Sequence, residues 1–203
     1  MKVIDIETIP QPGIMDTWFP EWARKKMPNA TDAEIELSAC LHGEFGMVCA
    51  IGMLNTGDPK PCHVIATDFE SERAALEALA NNLAHSETLV GHNIKNFDIP
   101  FLAKRYMAHG IRVPATLRTA GKKPWEIPHH DTMEIMRFAG DCSMSLRSAC
   151  HLLGLGDPKA QCSGGEVYDL FKAGRTDLIG RYVESDVSYE FELFKKLLDL
   201  AMV

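Results

Sequence analysis

No apolar run in the chain approaches the length needed to cross a bilayer, and the opening Met1-Lys2-Val3-Ile4 reads as a strand, with no secretory leader pattern. Residence in the cytoplasm, away from any membrane, is the resulting expectation. Positive charge is scarce too: 21 Lys and Arg stand against 28 Asp and Glu, for a net charge of -7 at pH 7. Affinity for phosphates comes largely from Lys and Arg releasing counterions, so a broad nonspecific grip on duplex is disfavoured, although a held strand end is not. Zinc spacing is missing among the six cysteines, Cys40, Cys49, Cys62, Cys142, Cys150 and Cys162. Most of them sit in apolar stretches, which favours reduced, buried thiols. Neither Cys40-Leu41-His42 nor His129-His130-Asp131 completes a four-ligand zinc set. Repeats, low-complexity tracts and interdomain linkers are absent, and the Pro/Gly clusters at 56–61 and 154–165 read as loops. With 203 residues and 46% apolar content, the chain suits a single domain, 1–203, around one substantial core.

What the chain does offer is spaced acids. Val3-Ile4-Asp5-Ile6-Glu7-Thr8 reads as a first strand, where residues i and i+2 share a face, so Asp5 and Glu7 project together. Such a pair can share a hard cation, or simply be a solvated strand end. Spacing alone does not decide, because Asp32-Ala33-Glu34 and Asp68-Phe69-Glu70 repeat it.

A second element runs from the short apolar strand Thr88-Leu89-Val90-Gly91 through His92 and Asn93 to Phe97-Asp98-Ile99-Pro100. Pro100 suits a first helical turn, and Asp98 just before it is placed to cap that helix. Capping alone would account for Asp98, and core packing for Phe97.

The third element lies in 176–201, where apolar residues recur at helical spacing. Tyr182 and Asp186 are one turn apart and share a side with Ile179 and Val183, facing inward. An inward Asp needs compensation, from a buried donor or from a metal. No other tyrosine in the chain precedes an acid by four positions.

Acids this far apart make sense together if the fold gathers them, and gathered carboxylates repel unless cations sit among them, as in two-metal phosphodiester hydrolysis. In their order and local setting the three elements resemble the proofreading-type 3'-to-5' exonucleases with four catalytic acids, in the tyrosine-bearing (DEDDy) branch. Arg181, five before Asp186, excludes the histidine branch. The nearest resemblance is to stand-alone proteins similar to the exonuclease domain of family B DNA polymerases. It runs through Asp5 to Thr8, Gly91 to Leu102, Ser145 to Leu155 and Tyr182 to Asp186. Residues 10–45, with Trp18 and Trp22, match no catalytic motif and read as a family-variable insertion.

The resemblance implies a ribonuclease H-like fold and release of nucleoside 5'-monophosphates from a single-stranded DNA 3' end. RNA is the alternative substrate, and a non-catalytic single-strand-binding module the alternative class. Two cations per site, Mg²⁺ or Mn²⁺, are implied, with Asp5, Glu7 and Asp186 at the first, Asp5 bridging to the second and Asp98 assisting. By the same resemblance Tyr182 orients the attacking water, while Asn93, Phe97 and Thr8 contact the substrate.

Pattern reading places strands near 2–7, 46–54, 62–67, 88–91 and just before Asp131. Helices are predicted near 15–27, 32–40, 71–84, 98–109, 132–139, 145–153, 164–173 and 176–201. The order implies an α/β domain with a mixed five-stranded sheet and helices on both faces. Lys104, Arg105, Arg112, Arg118, Lys122 and Lys123 concentrate positive charge, as a phosphate track or a solvated loop.

Overall fold

The computed structural model of the protein describes residues 1–84, 88–138, 140, 143–158 and 164–203. Strands β1 (Lys2–Pro10), β2 (Gly46–Asn55), β3 (Cys62–Ile65), β4 (Leu89–Gly91) and β5 (His130–Asp131) form one sheet in the order β3-β2-β1-β4-β5. The pairs β1/β2 and β2/β3 are antiparallel, and β1/β4 and β4/β5 are parallel, so the sheet is mixed as expected. The helices are α1 (Phe19–Lys26), α2 (Asp32–Ser38), α3 (Phe69–Leu83), α4 (Asp98–Ala108), α5 (Thr132–Arg137), α6 (Leu146–Leu152), α7 (Val167–Lys172) and α8 (Thr176–Asp199).

Local chemistry accounts for several of these boundaries. Thr31 and Glu34 form a capping box at the start of α2, and Asp68 and Ser71 form another at α3. The helix predicted over 15–27 begins later. A 3-10 turn at Ile14–Asp16 comes first, and α1 starts at Phe19 with Pro20 in its first turn.

Alternation along β1 divides the interior. Ile4 and Ile6 point to one side, into a core with Leu76 and Leu79 of α3 and Leu102 and Tyr106 of α4. Val3 and Ile9 point to the other, where Val183 and Val187 of α8 pack. Asp5 and Glu7 share that second face, so the pair is aimed at α8.

Gly52 sets how close α8 comes. It is the ladder partner of Asp5, and a Cβ there would lie 2.8 Å from both Val183 and Val187. A side chain at this position would hold α8 away from the strand that carries the acids. Beside it the β1/β2 register shifts between Glu7 and Thr8, which pair with Ala50 and Val48. Cys49 is the extra residue of this bulge, and its thiol lies 3.4 Å from the Glu7 carbonyl.

A buried ion network ties the other side of the sheet together. The Glu72 carboxylate accepts from Val48 N at 2.7 Å, from Arg105 Nε and Nη2 at 2.8 and 2.7 Å, and lies 2.7 Å from His109 Nε2. Arg105 is fully buried and also donates to the Gly43 carbonyl, while Lys104 pairs with Glu44. Of the two readings of this basic run, a phosphate track or a solvated loop, neither holds for Arg105, whose charge is buried against Glu72.

Ile14, Phe19, Ala23, Ile35, Ala39 and Phe45 build a small core of their own within and beside the 10–45 segment. Of the cysteines expected to be buried, Cys49 and Cys150 are, Cys40 is half-buried and Cys62 is exposed. Cys142 and Cys162 lie outside the described residues, as do position 139, at the end of one predicted helix, and part of the 154–165 loop. Among the described residues no helix is long and apolar enough to cross a membrane.

Candidate active site

β1 supplies Asp5 and Glu7, and α8 supplies Asp186 opposite them. One carboxylate oxygen from each of the three lies within 4.8 Å of the others, and among the described residues this is the one such cluster of potential metal ligands. On α8 the inward stripe runs through Ile179, Tyr182, Val183, Asp186, Val187 and Glu190, which is why the acid and the phenol stand on the face that packs against the sheet. Asp186 and Tyr182 are each only 4% exposed.

Asp98, on α4, is not among the three acids of that cluster, but its carboxyl is held against the strand that carries two of them. It is the first residue of the helix, Phe97 occupies the cap position, and no side-chain capping bond is made there. Its Oδ1 instead accepts from Ile6 N at 3.1 Å, between the two acids of β1. The carboxyl is thus turned toward the sheet, and the reading of Asp98 as a helix cap is corrected.

The electrostatics are those of acids crowded together, Asp186 buried and Asp5 and Glu7 half-buried. Burial, then the charges of Glu190, Glu7, Asp98 and Asp186, push the Asp5 carboxyl well above the usual range. Burial chiefly, with a contribution from Asp131, raises Asp98 to about 7 against the backbone hydrogen bonds that favour its charged form. Asp5 Oδ2 is buried without a hydrogen-bond partner among the described residues. An orphaned carboxylate oxygen beside converging acids fits a hard divalent cation, whose preferred donors are oxygens.

Tyr182 remains a phenol. Burial first, then the charges of Glu7, Asp186 and Asp5 and a hydrogen bond to Asp186, drive its pKa far upward. A hydroxyl so hard to deprotonate is available as a hydrogen-bonding group. Tyr182→Phe should therefore slow turnover roughly a hundredfold with cation affinity kept, whereas Asp186→Asn should weaken both. Calorimetric titration with Mn²⁺ beside the hydrolysis rates checks this; equal loss of cation affinity in the two variants would make Tyr182 structural.

The candidate substrate residues are spread around this centre. Asn93 adopts a left-handed conformation, φ 66, which Asn tolerates better than most residues, and its side-chain oxygen accepts from Asn96. Phe97 is half-buried, its ring 5.6 Å from that of Phe101. The Thr8 hydroxyl donates to the Cys40 carbonyl at 2.7 Å, which ties β1 to the 10–45 segment.

Motif reading missed two acids. Asp131, noticed only as part of a doubtful zinc set, accepts from Asn93 N and Lys95 N at 2.9 and 3.1 Å and caps α5 through Met133 N and Glu134 N. It fixes the loop that leads to Asp98. Glu190, one turn beyond Asp186, is 2% exposed and accepts from His92 N at 3.1 Å. Its position on the inward stripe was the available signal.

A mixed sheet of this order with its helices defines an α/β domain of ribonuclease H-like fold, on which acids from β1 and α8 form one carboxylate cluster. Over residues 39–201 the chain matches the family described as "Predicted 3'-5' exonuclease related to the exonuclease domain of PolB", and it belongs to that family. Asp5 and Glu7 precede the matched stretch, and the fold brings them to it. No curated protein matches the chain. The family B DNA polymerase from the hyperthermophilic archaeon Pyrobaculum calidifontis shares the fold, with a TM-score of 0.62 at 16% identity over 99% of this chain. The chain spans 25% of that polymerase.

Proposed function

We propose that the protein is a metal-dependent 3'-to-5' exonuclease that hydrolyses single-stranded DNA ends to nucleoside 5'-monophosphates. The observation that carries this reading is the meeting of Asp5, Glu7 and Asp186 oxygens within 4.8 Å, in a chain of an exonuclease-related family. Residues 1–203 are read as one exonuclease domain, with 10–45 as a variable insertion.

Asp5, Glu7 and Asp186 would hold one cation, with Asp5 also reaching a second and Asp98 supporting from α4. When bound, Mg²⁺ or Mn²⁺ supplies charge neutralisation, a lowered pKa for water and stabilisation of the leaving 3'-oxygen. Tyr182, hydrogen-bonded to Asp186, would orient the attacking water by its hydroxyl. Asn93, on the loop fixed by Asp131, Phe97, just before α4, and Thr8, after Glu7 on β1, would contact the substrate strand.

Substrate form follows from cost. Terminal nucleotides must leave the stack to reach buried acids, and the net charge of -7 provides little duplex affinity to offset that. Hydrolysis of a 5'-labelled single strand in Mg²⁺ should give a ladder that shortens stepwise, and a 3' label should be released at once as mononucleotide. Blunt duplex should be digested at least tenfold more slowly. Immediate loss of the 5' label, or cuts in a circular single strand, would overturn the assignment; faster digestion of RNA would move the substrate to RNA, and binding without hydrolysis would make the chain a strand-binding module.

A further inference from the structure

Glu190 is an unexplained expense in this fold. It lies on the apolar face of α8 among Val187, Leu193 and Phe194, where a leucine would pack without desolvating a charge. One of its oxygens, Oε1, takes the His92 N–H, but Oε2 is buried with no hydrogen-bond partner among the described residues. Tyr182, Asp186 and Glu190 follow one another at single-turn spacing, so the side chain is directed along the same stripe as the catalytic pair. A buried acid one turn past Asp186, on the same stripe of α8, thus carries an open acceptor.

We infer that Glu190 is a fifth acid of the cation site, a positioning residue that braces the motif loop through His92 and adds its negative charge to the cluster that holds the cations. This inference rests on the exonuclease reading of the site. The two parts of the role separate cleanly by chemistry. The brace needs only a carbonyl-type oxygen toward His92 N, which a glutamine supplies. The charge needs the carboxylate. The His92 ring is held independently, at 2.9 Å from Thr132 Oγ1 and 2.7 Å from the Met144 carbonyl, so a change at residue 190 leaves other anchors on the loop.

The contrast with a purely structural acid lies in the direction of the effects. A structural acid, when replaced, lowers the stability of the metal-free protein and leaves cation affinity alone. An acid held in place for the cations does the reverse, because in the metal-free protein its burial beside other acids goes uncompensated. Partners in the outer shell of a metal site commonly carry roughly ten- to hundredfold of the affinity.

The experiment compares wild type, Glu190→Gln, Glu190→Asp and Asp5→Asn by Mn²⁺ calorimetry and by thermal unfolding, with chelator and with Mn²⁺. For Glu190→Gln the expected results are a chelated Tm no lower than wild type, a smaller rise on adding Mn²⁺, and affinity weaker by roughly tenfold or more. Glu190→Asp, which keeps the charge, should retain more affinity than Gln, and this comparison decides the matter if the Gln variant folds poorly. Unchanged Mn²⁺ affinity in Glu190→Gln with a lowered chelated Tm, or equal affinities in the Gln and Asp variants, would overturn the inference. Should Asp5→Asn lose the Mn²⁺ effect while Glu190→Gln keeps it, the cation site stands and the role of Glu190 falls. If wild type itself binds no Mn²⁺, the reading of the site falls with it.

Discussion

Asp5→Ala is expected to lower hydrolysis by on the order of a thousandfold or more, beyond the ten- to hundredfold typical of an outer-shell partner. Asp5 is the acid on which the others converge: burial, Glu190, Glu7, Asp98 and Asp186 all act on it, and its Oδ2 is the orphaned oxygen. Removing it takes away the donor assigned to both cations. The same variant should be at least as stable as wild type in chelator, since a buried, repelled carboxyl has gone. Activity with and without excess chelator, measured beside thermal unfolding, checks both halves. Undiminished hydrolysis by Asp5→Ala would remove it from the centre, and full wild-type activity in chelator would remove the cations.

The largest effect on stability is expected at Glu72, on the opposite side of the sheet. Its carboxylate is the common acceptor for Val48 N, Arg105 and His109, and both Glu72 and Arg105 are 0% exposed. Glu72→Ala leaves the guanidinium buried without its counterion, and breaking one half of such a pair costs about 3–5 kcal/mol. For a chain of this size that is a fall in Tm of roughly 10 °C. The bulged strand beside Glu7 and the helix that starts at Asp98 both hang on this network, so activity should decline at lower temperature than in wild type. Urea denaturation of Glu72→Ala checks the figure; a loss below about 1 kcal/mol would mean that the Arg105 charge finds other compensation.

Where the sequence could be read, the reason was periodicity. Asp5 and Glu7 share a face because strand side chains alternate, Tyr182 and Asp186 because four residues make a turn, and both pairs meet as those rules require. The strands and most helix limits followed from the same signals. For Asp98 the sequence left capping and a place among the acids both open, because capping is a rule about neighbours, whereas its actual partner, Ile6 N, is 92 positions away. Arg105 looked like surface charge for the same reason: its acceptor, Glu72, stands 33 positions earlier in a different helix. The Cys49 bulge and the close approach at Gly52 depend on pairing between strands and on the seating of α8, which no local pattern states. Glu190 was legible in principle, since it continues the inward stripe of α8 one turn past Asp186.

Diffraction from crystals of the protein soaked in Mn²⁺, recorded at the manganese absorption edge, tests the central claim most directly. The expected result is a pair of anomalous peaks that share Asp5, one of them also touched by Glu7 and Asp186, and their loss in Asp5→Ala. Absence of any peak at these carboxylates, at a Mn²⁺ concentration that supports hydrolysis in solution, would contradict it.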